Sequence, residues 1–405
     1  MQPTLKRSLS LPLIVLYGLG TTIGAGIYAL TGEVAADAGM AAPLSFVIAA
    51  VLAGFTAFSF AELASRHPRS AGVAVYVQHG FGWSAGAVAV GLLVVLSAVV
   101  SAAVLVAGFA GYLAELIALP RSISVGLCAL AIGAIAVWGI TQSALAAAAV
   151  TLLEIGGLLL VAWAARGALI ELPGRLDEFA VIGELSAWKG ILSGSILAFY
   201  AFIGFEDMVH VAEEVRDVRR NLPRSIVMVL VLTTLIYLVL AFACVLAVPP
   251  AELARSDAPL ALVFESSSGR SPALLSVIAA TAMLNGALIQ VIMASRILFG
   301  LSADGPLPPV FGRVHPRTRT PIFSTVAVSV AVLVLALLFP LVTLAETTSV
   351  ITLAVFALVN AALWRLKRLE PHPPGAWLIP AWVPVAGFAV SAFFLAVEAT
   401  HRLIG

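Results

Sequence analysis

Apolar segments of about 20 residues recur along the whole of this 405-residue chain, and they limit its fold more than any other feature. A segment of that length is what an α-helix needs to cross the hydrocarbon core of a bilayer. Charged residues make up only 11% of the chain and hydrophobic residues 61%, whereas soluble proteins carry roughly 25% charged residues. The sequence therefore predicts an all-α integral membrane protein that passes through the bilayer many times.

Eleven apolar segments are candidate transmembrane helices. They lie near residues 11–36, 41–65, 84–117, 122–140, 146–165, 190–212, 224–248, 272–300, 321–340, 343–364 and 377–401. The side that holds the amino terminus collects fifteen of the 22 Lys and Arg residues, so we predict that the amino terminus is cytoplasmic. The first segment lacks a cleavage signal, so we expect it to be retained in a cell (inner) membrane.

Four glycines interrupt the first segment, where leucine, isoleucine and valine would build a stable membrane helix: Gly18, Gly20, Gly24 and Gly26. Glycine costs about 1 kcal/mol relative to alanine inside a helix, so an unwound turn is predicted here. Unwound backbone at bilayer depth occurs only where it lines a cavity or is buried in protein. Close helix packing is the alternative explanation of such glycines.

The sixth segment has a comparable weak point at Gly204, within residues 202–206. Two broken helices in corresponding positions indicate the binding site of a secondary transporter. We therefore predict a single transporter domain over residues 1–405, with inverted five-helix repeats at 11–165 and 190–364. The segment at 377–401 is an additional eleventh helix.

Several short motifs resemble those of amino-acid permeases of the amino acid–polyamine–organocation superfamily. The residues from Gly20 to Ile27 are similar to the first-helix pattern G-x-x-I-G-x-G-I, and those from Tyr200 to Glu206 to the sixth-helix pattern F-x-F-x-G-F-[DE]. Further similarities lie at Glu62-Leu63, Pro68 to Tyr76, Ala212 to Glu214, Asn221 to Pro223, Asn285-Gly286, Ser295-Arg296 and Asp304 to Pro308. The chain departs from the family patterns at Ala71, Ala74 and Val218, and the family usually has twelve helices rather than eleven.

The resemblance implies the leucine-transporter fold, with five plus five helices and a site for an amino acid at the two breaks. In that site the amides of Gly24, Ala25 and Gly26 face the substrate carboxylate at the amino end of a half-helix, where negative charge is favoured. The ammonium group would be accepted by backbone carbonyls. These are the carbonyls near Thr21, Thr22 and Ile23, with those of Phe199 and Tyr200.

Three aromatic or glycine positions complete the site that the resemblance implies. Tyr200 aligns with the aromatic gate that covers the substrate in related permeases. Phe202 packs against neighbouring helices or lines the side-chain pocket, and Gly204 forms the second break.

Glu154 lies in the middle of the fifth apolar segment, with no cation nearby in sequence. A carboxylate at a helix centre costs about 2.5–3.5 kcal/mol on insertion scales, so we expect it to face the bundle or to carry a proton. We predict a role in proton coupling; a structural hydrogen bond and a cation-binding role are the alternatives. Glu206 and Asn285 are predicted to support the site or a gate.

The sequence thus predicts a secondary active permease for an amino acid, working by alternating access and coupled to protons. An amino-acid exchanger or a polyamine carrier is the alternative within transporters, and a channel or nontransporting sensor is the alternative of another class. No nucleophile elbow, HExxH or P-loop motif is present, so we expect no enzymatic activity, metal or cofactor. The expected partners are the amino acid, a proton and the lipid bilayer, without nucleic acid or an obligate protein partner.

Overall fold

The fold is a bundle of helices, seen in a computed structural model that describes residues 9–68, 72–139, 144–179, 185–303 and 307–404. Within these ranges the only β contact is a single bridge between Leu9 and Val215. The α-helices are α1 (Leu11–Thr22), α2 (Ala25–Ala38), α3 (Ala42–Arg66), α4 (Gly72–Phe81), α5 (Ser84–Ala114), α6 (Arg121–Trp138), α7 (Ala144–Ala164), α8 (Arg166–Glu171), α9 (Leu185–Phe202), α10 (Val218–Ala247), α11 (Pro250–Leu253), α12 (Pro259–Ser268), α13 (Ala273–Ala303), α14 (Ile322–Leu338), α15 (Leu341–Leu369) and α16 (Trp382–Ile404). Asp304, Gly305 and Pro306, which belong to one of the motifs above, lie outside the described residues.

The prediction of an all-α, multi-span membrane protein is confirmed. Nine helices in the described ranges are long and apolar enough to cross a membrane, counting α2 and α3 as one continuous run, and α1 and α14 are shorter apolar helices. The total of eleven spans stays a prediction.

The last helix begins at Trp382 rather than at the predicted residue 377. The residues before it are held in an extended segment, because the amide of Ile379 donates to the Glu62 carboxylate at 2.8 Å and that of Trp377 to the Ser65 hydroxyl at 2.9 Å. Pro380 also lacks the N–H group that a helix would use.

Corresponding helices of the two proposed halves pack against each other. Helix α2 packs on α9, α3 on α10, α5 on α13 and α6 on α14. A two-fold axis in the membrane plane would pair the helices of inverted repeats in this way. The repeats at 11–165 and 190–364 stay a prediction.

Short helices close over the bundle in segments that were predicted to be loops. Helices α11 and α12 pack on α2, and a side chain at Gly32 would meet the Leu253 carbonyl. At the end of the bundle where α1 begins, α4 packs on α5 and α15. The segment from 166 to 179 forms α8 and two short 3-10 turns.

A buried ion cluster ties α3 to α15 where both helices end. Glu62 contacts Arg66 at 2.6 Å and Lys367 at 2.7 Å, and all three side chains are at most 9% exposed. About one to two turns earlier on both helices, the Asn360 side-chain amide donates to the Thr56 hydroxyl and accepts from the Ser59 hydroxyl. This polar seam joins α3, α15 and the extended segment before α16.

Candidate functional site

The first membrane helix is broken between α1 and α2. Helix α1 ends at Thr22 and α2 begins at Ala25, leaving Ile23 and Gly24 outside regular helix. The break is thus shorter than the glycine run, since the residues from Gly18 to Thr22 remain helical. The last carbonyls of α1 and the first amides of α2, which include those predicted at Ala25 and Gly26, lack partners within their own helices.

The second break follows α9, at Ile203 and Gly204. Gly204 has a φ of +126° and a ψ of −22°, and a 3-10 helix from Phe205 to Glu214 continues the chain. Only glycine adopts this conformation without strain. The carboxylate of Glu206 turns back and accepts a hydrogen bond of 2.8 Å from the Gly204 amide.

The two breaks lie against each other. The Thr21 hydroxyl donates to the Gly204 carbonyl at 2.9 Å. The Tyr237 hydroxyl, on α10, lies 3.1 Å from the Thr22 carbonyl and 3.0 Å from the Ala201 carbonyl, one from each broken helix. Gly26 permits this approach, because a side chain there would collide with the backbone of Ala201.

A cavity of about 430 Å³, counting the space at its mouth, opens between the two breaks. It is lined by Gly20, Thr21, Thr22, Gly24, Gly26, Ser101, Leu105, Tyr200, Ile203, Gly286, Ile289 and Gln290. Thr21, Thr22, Gly24, Gly26 and Tyr200 are residues that the sequence had indicated.

Some predicted site residues lie behind the cavity wall. Phe199 packs edge-on against Phe356 with ring centroids 5.7 Å apart, and Phe202 packs against Tyr237 at 5.2 Å. Ile23 is also buried, and Gly204 lies beneath Thr21. The side chain of Ala25 is not among the parts of the chain that the structure describes. The predicted binding roles of these residues stay predictions.

Tyr200 is held against α5 at the edge of the cavity. Its hydroxyl lies 3.0 Å from the Ser101 hydroxyl and 3.3 Å from the Ser101 carbonyl. Tyr200 is one of the residues that line the cavity. Its predicted role as a gate stays a prediction.

Glu154 lies inside the bundle on α7, with 1% of the residue exposed. Its backbone carbonyl accepts a hydrogen bond of 2.7 Å from the Tyr28 hydroxyl of α2. Neither carboxylate oxygen has a partner at hydrogen-bonding geometry among the described residues. Asn285 of α13 is close enough to interact with the carboxyl group without meeting that geometry.

Gln290 and Asp207 form a contact that was not predicted from the sequence. The Gln290 amide donates to the Asp207 carboxylate at 3.3 Å. Gln290 lines the cavity, whereas Asp207 does not, and both are buried, at 8% and 5% exposure. The acidic side chain of Asp207 therefore lies directly behind the neutral side chain of Gln290.

Comparison with known proteins places this architecture among transporters. The amino acid permease family profile matches residues 9–400. The branched-chain amino acid permease BcaP of Bacillus subtilis is 28% identical over 96% of this chain and 87% of its own length. An uncharacterized transporter of Mycobacterium tuberculosis is 33% identical over 96% of this chain and 87% of its own.

A longer relative is also similar. The vacuolar cationic amino acid transporter 2 of Arabidopsis thaliana is 31% identical over 91% of this chain, which spans only 61% of that relative's length.

Proposed function

We infer that this chain, which belongs to the amino acid permease family and is an amino acid transporter, works as a secondary active transporter by alternating access and is coupled to protons. The observation that carries the proposal is the meeting of two broken helices at one cavity, with Thr21 bonded to Gly204. Half-helix ends at the centre of a bundle are where such transporters hold substrate.

The α-carboxylate of the substrate binds at the start of α2. The amides of Gly24, Ala25 and Gly26 lie at the amino end of that half-helix, where the helix dipole favours negative charge. The α-ammonium group is accepted by carbonyls at the ends of α1 and α9, those near Thr21, Thr22 and Ile23 with those of Phe199 and Tyr200.

Glu154 carries the coupling proton. Its carboxyl group is buried, with Asn285 close by and no hydrogen bond of standard geometry in the described part of the chain. An ionised carboxylate in such a place is strongly disfavoured. The Tyr28 hydroxyl donates a hydrogen bond to the backbone carbonyl of Glu154. Tyr28 belongs to α2, the half-helix that would hold the substrate carboxylate. The contact with Tyr28 thus links Glu154 to the half-helix that begins at the first break.

In this proposal the protein lies in the cell membrane with its amino terminus on the cytoplasmic side. The excess of Lys and Arg on that side supports this orientation. Helices α11 and α12 then cover the outer end of α2, and the Glu62 cluster lies on the inner side.

The experiment is uptake by purified protein in proteoliposomes. A thermal-shift screen of the twenty amino acids selects the substrate, because a ligand of the native state raises the melting temperature. Uptake of that labelled amino acid is then measured with and without a pH gradient, for the wild type, Glu154→Gln and Glu171→Gln. Glu171 is an exposed glutamate outside the bundle and serves as the matched control.

We expect the wild type and Glu171→Gln to accumulate substrate when the outside is acidic, and Glu154→Gln only to equilibrate or exchange it. Full accumulation with unchanged pH dependence in Glu154→Gln would rule out proton carriage by this residue. Uptake that requires internal amino acid and ignores the gradient would indicate an exchanger.

A further inference from the structure

We propose that Gln290 sets the charge selectivity of the cavity: it screens the buried Asp207 from the substrate and so restricts the transporter to neutral, aliphatic amino acids. The proposal rests on the amino-acid transport function and adds to it the class of side chain. Its basis is the position of Gln290, which touches both the cavity and Asp207.

The part of the cavity away from the glycines is neutral and largely aliphatic. Leu105, Ile203 and Ile289 contribute its apolar surface, and none of the cavity-lining residues in the described part of the chain carries a charge. An apolar wall of this kind gains free energy by covering an aliphatic side chain. A lysine or arginine side chain placed there would be a buried cation without a counter-charge, which is strongly disfavoured.

An acidic side chain is nevertheless close by. Asp207 lies in the 3-10 helix that follows the second break, and its carboxylate accepts a hydrogen bond from the Gln290 amide at 3.3 Å. While that bond is in place, the amide both satisfies the acid and covers it. The neighbouring acid Glu206 is already engaged by the Gly204 amide at 2.8 Å.

Shortening Gln290 should therefore change selectivity rather than only enlarge the cavity. In Gln290→Ala, the Asp207 carboxyl group loses its donor, and the side chain that separated it from the cavity is gone. A substrate guanidinium or ammonium group can then replace the lost amide, forming a charge-assisted hydrogen bond. The variant should accept arginine and lysine.

Ile289→Ala is the matched control. Ile289 precedes Gln290 on α13 and also lines the cavity, so its truncation adds space next to the same wall. Because Gln290 still covers Asp207 in this variant, we expect no gain of cationic substrates. Gln290→Ser is a second variant that uncovers Asp207, and the double variant Gln290→Ala with Asp207→Asn removes the charge that the proposal invokes.

The test is exchange of labelled leucine and labelled arginine by proteoliposomes preloaded with the same unlabelled amino acid. We expect the wild type and Ile289→Ala to prefer leucine. In Gln290→Ala and Gln290→Ser the arginine-to-leucine ratio should rise about tenfold or more, the size of one charge-assisted hydrogen bond, and the double variant should lose the gain.

Two results would overturn the proposal while leaving amino-acid transport intact. One is a wild type that carries arginine as well as leucine. The other is an arginine gain that is absent from both Gln290 variants or survives Asp207→Asn. A wild type that exchanges none of the twenty amino acids would instead contradict the transport function itself.

Discussion

The Thr21 hydroxyl donates a hydrogen bond of 2.9 Å to the carbonyl oxygen of Gly204, and this bond joins the end of α1 to the break that follows α9. The same hydroxyl lies 3.0 Å from the Gly18 carbonyl one turn back on its own helix. Thr21 lines the cavity and Gly204 lies directly behind it, so the relative position of the two half-helices affects the shape of the site. Movement of one break therefore changes the other.

Thr21→Val should weaken substrate binding about fivefold without unfolding the protein. Valine keeps the size of the side chain but removes the hydroxyl, and one hydrogen bond is worth about 1 kcal/mol net. The dissociation constant is measured by titration calorimetry with the substrate selected in the thermal-shift screen. Thr21→Ser keeps the hydroxyl and should bind as the wild type does; equal affinity in Thr21→Val would show that the bond does not shape the site.

Gly204→Ala should abolish transport and lower the melting temperature. An alanine in this sparsely populated backbone conformation is strained by about 1–3 kcal/mol, and its Cβ would also collide with the carbonyl of Thr21. Gly269→Ala is the control, because Gly269 also has a positive φ, +64°, yet has open space around it. If both variants lose the same stability and keep transport, the close approach of the two breaks is not needed.

Glu62→Gln should destabilise the protein by about 3–5 kcal/mol, the usual cost of removing one partner from a buried ion pair. Arg66 and Lys367 would be left as two buried cations beside each other, because both contact Glu62. Unfolding in SDS measures the change. Glu178→Gln removes the partner of Arg175 in an exposed pair, which should have no measurable effect; equal effects would mean that the cluster is not a structural clamp.

The sequence predicted the long helices and both breaks because these depend on local composition. Apolar length defines a membrane span, and glycine weakens a helix wherever it stands, so Gly24 and Gly204 could be identified from the chain alone. The start of α16 was wrong because it depends on a distant contact, the bond from Ile379 to Glu62. Short helices such as α4 and α12 carry too few residues to show a clear period.

The cavity residues on α5 and α13 were harder to predict than those at the two breaks. Helix α13 is apolar around its circumference, so its period does not show which side chains face inward. Ile289 and Gln290 were missed for that reason, and Ser101 on α5 was missed in the same way. The contact of Gln290 with Asp207 joins residues 83 positions apart, which no local pattern contains.

The most direct measurement is an experimental structure of the protein with its amino acid bound. We expect density for the ligand between the two breaks, with its α-carboxylate about 3 Å from the amides of Gly24, Ala25 and Gly26. The ammonium group should face carbonyls at the ends of α1 and α9. A ligand bound elsewhere in the bundle, or one whose carboxylate is held by a side-chain cation instead of the start of α2, would rule out the proposed site.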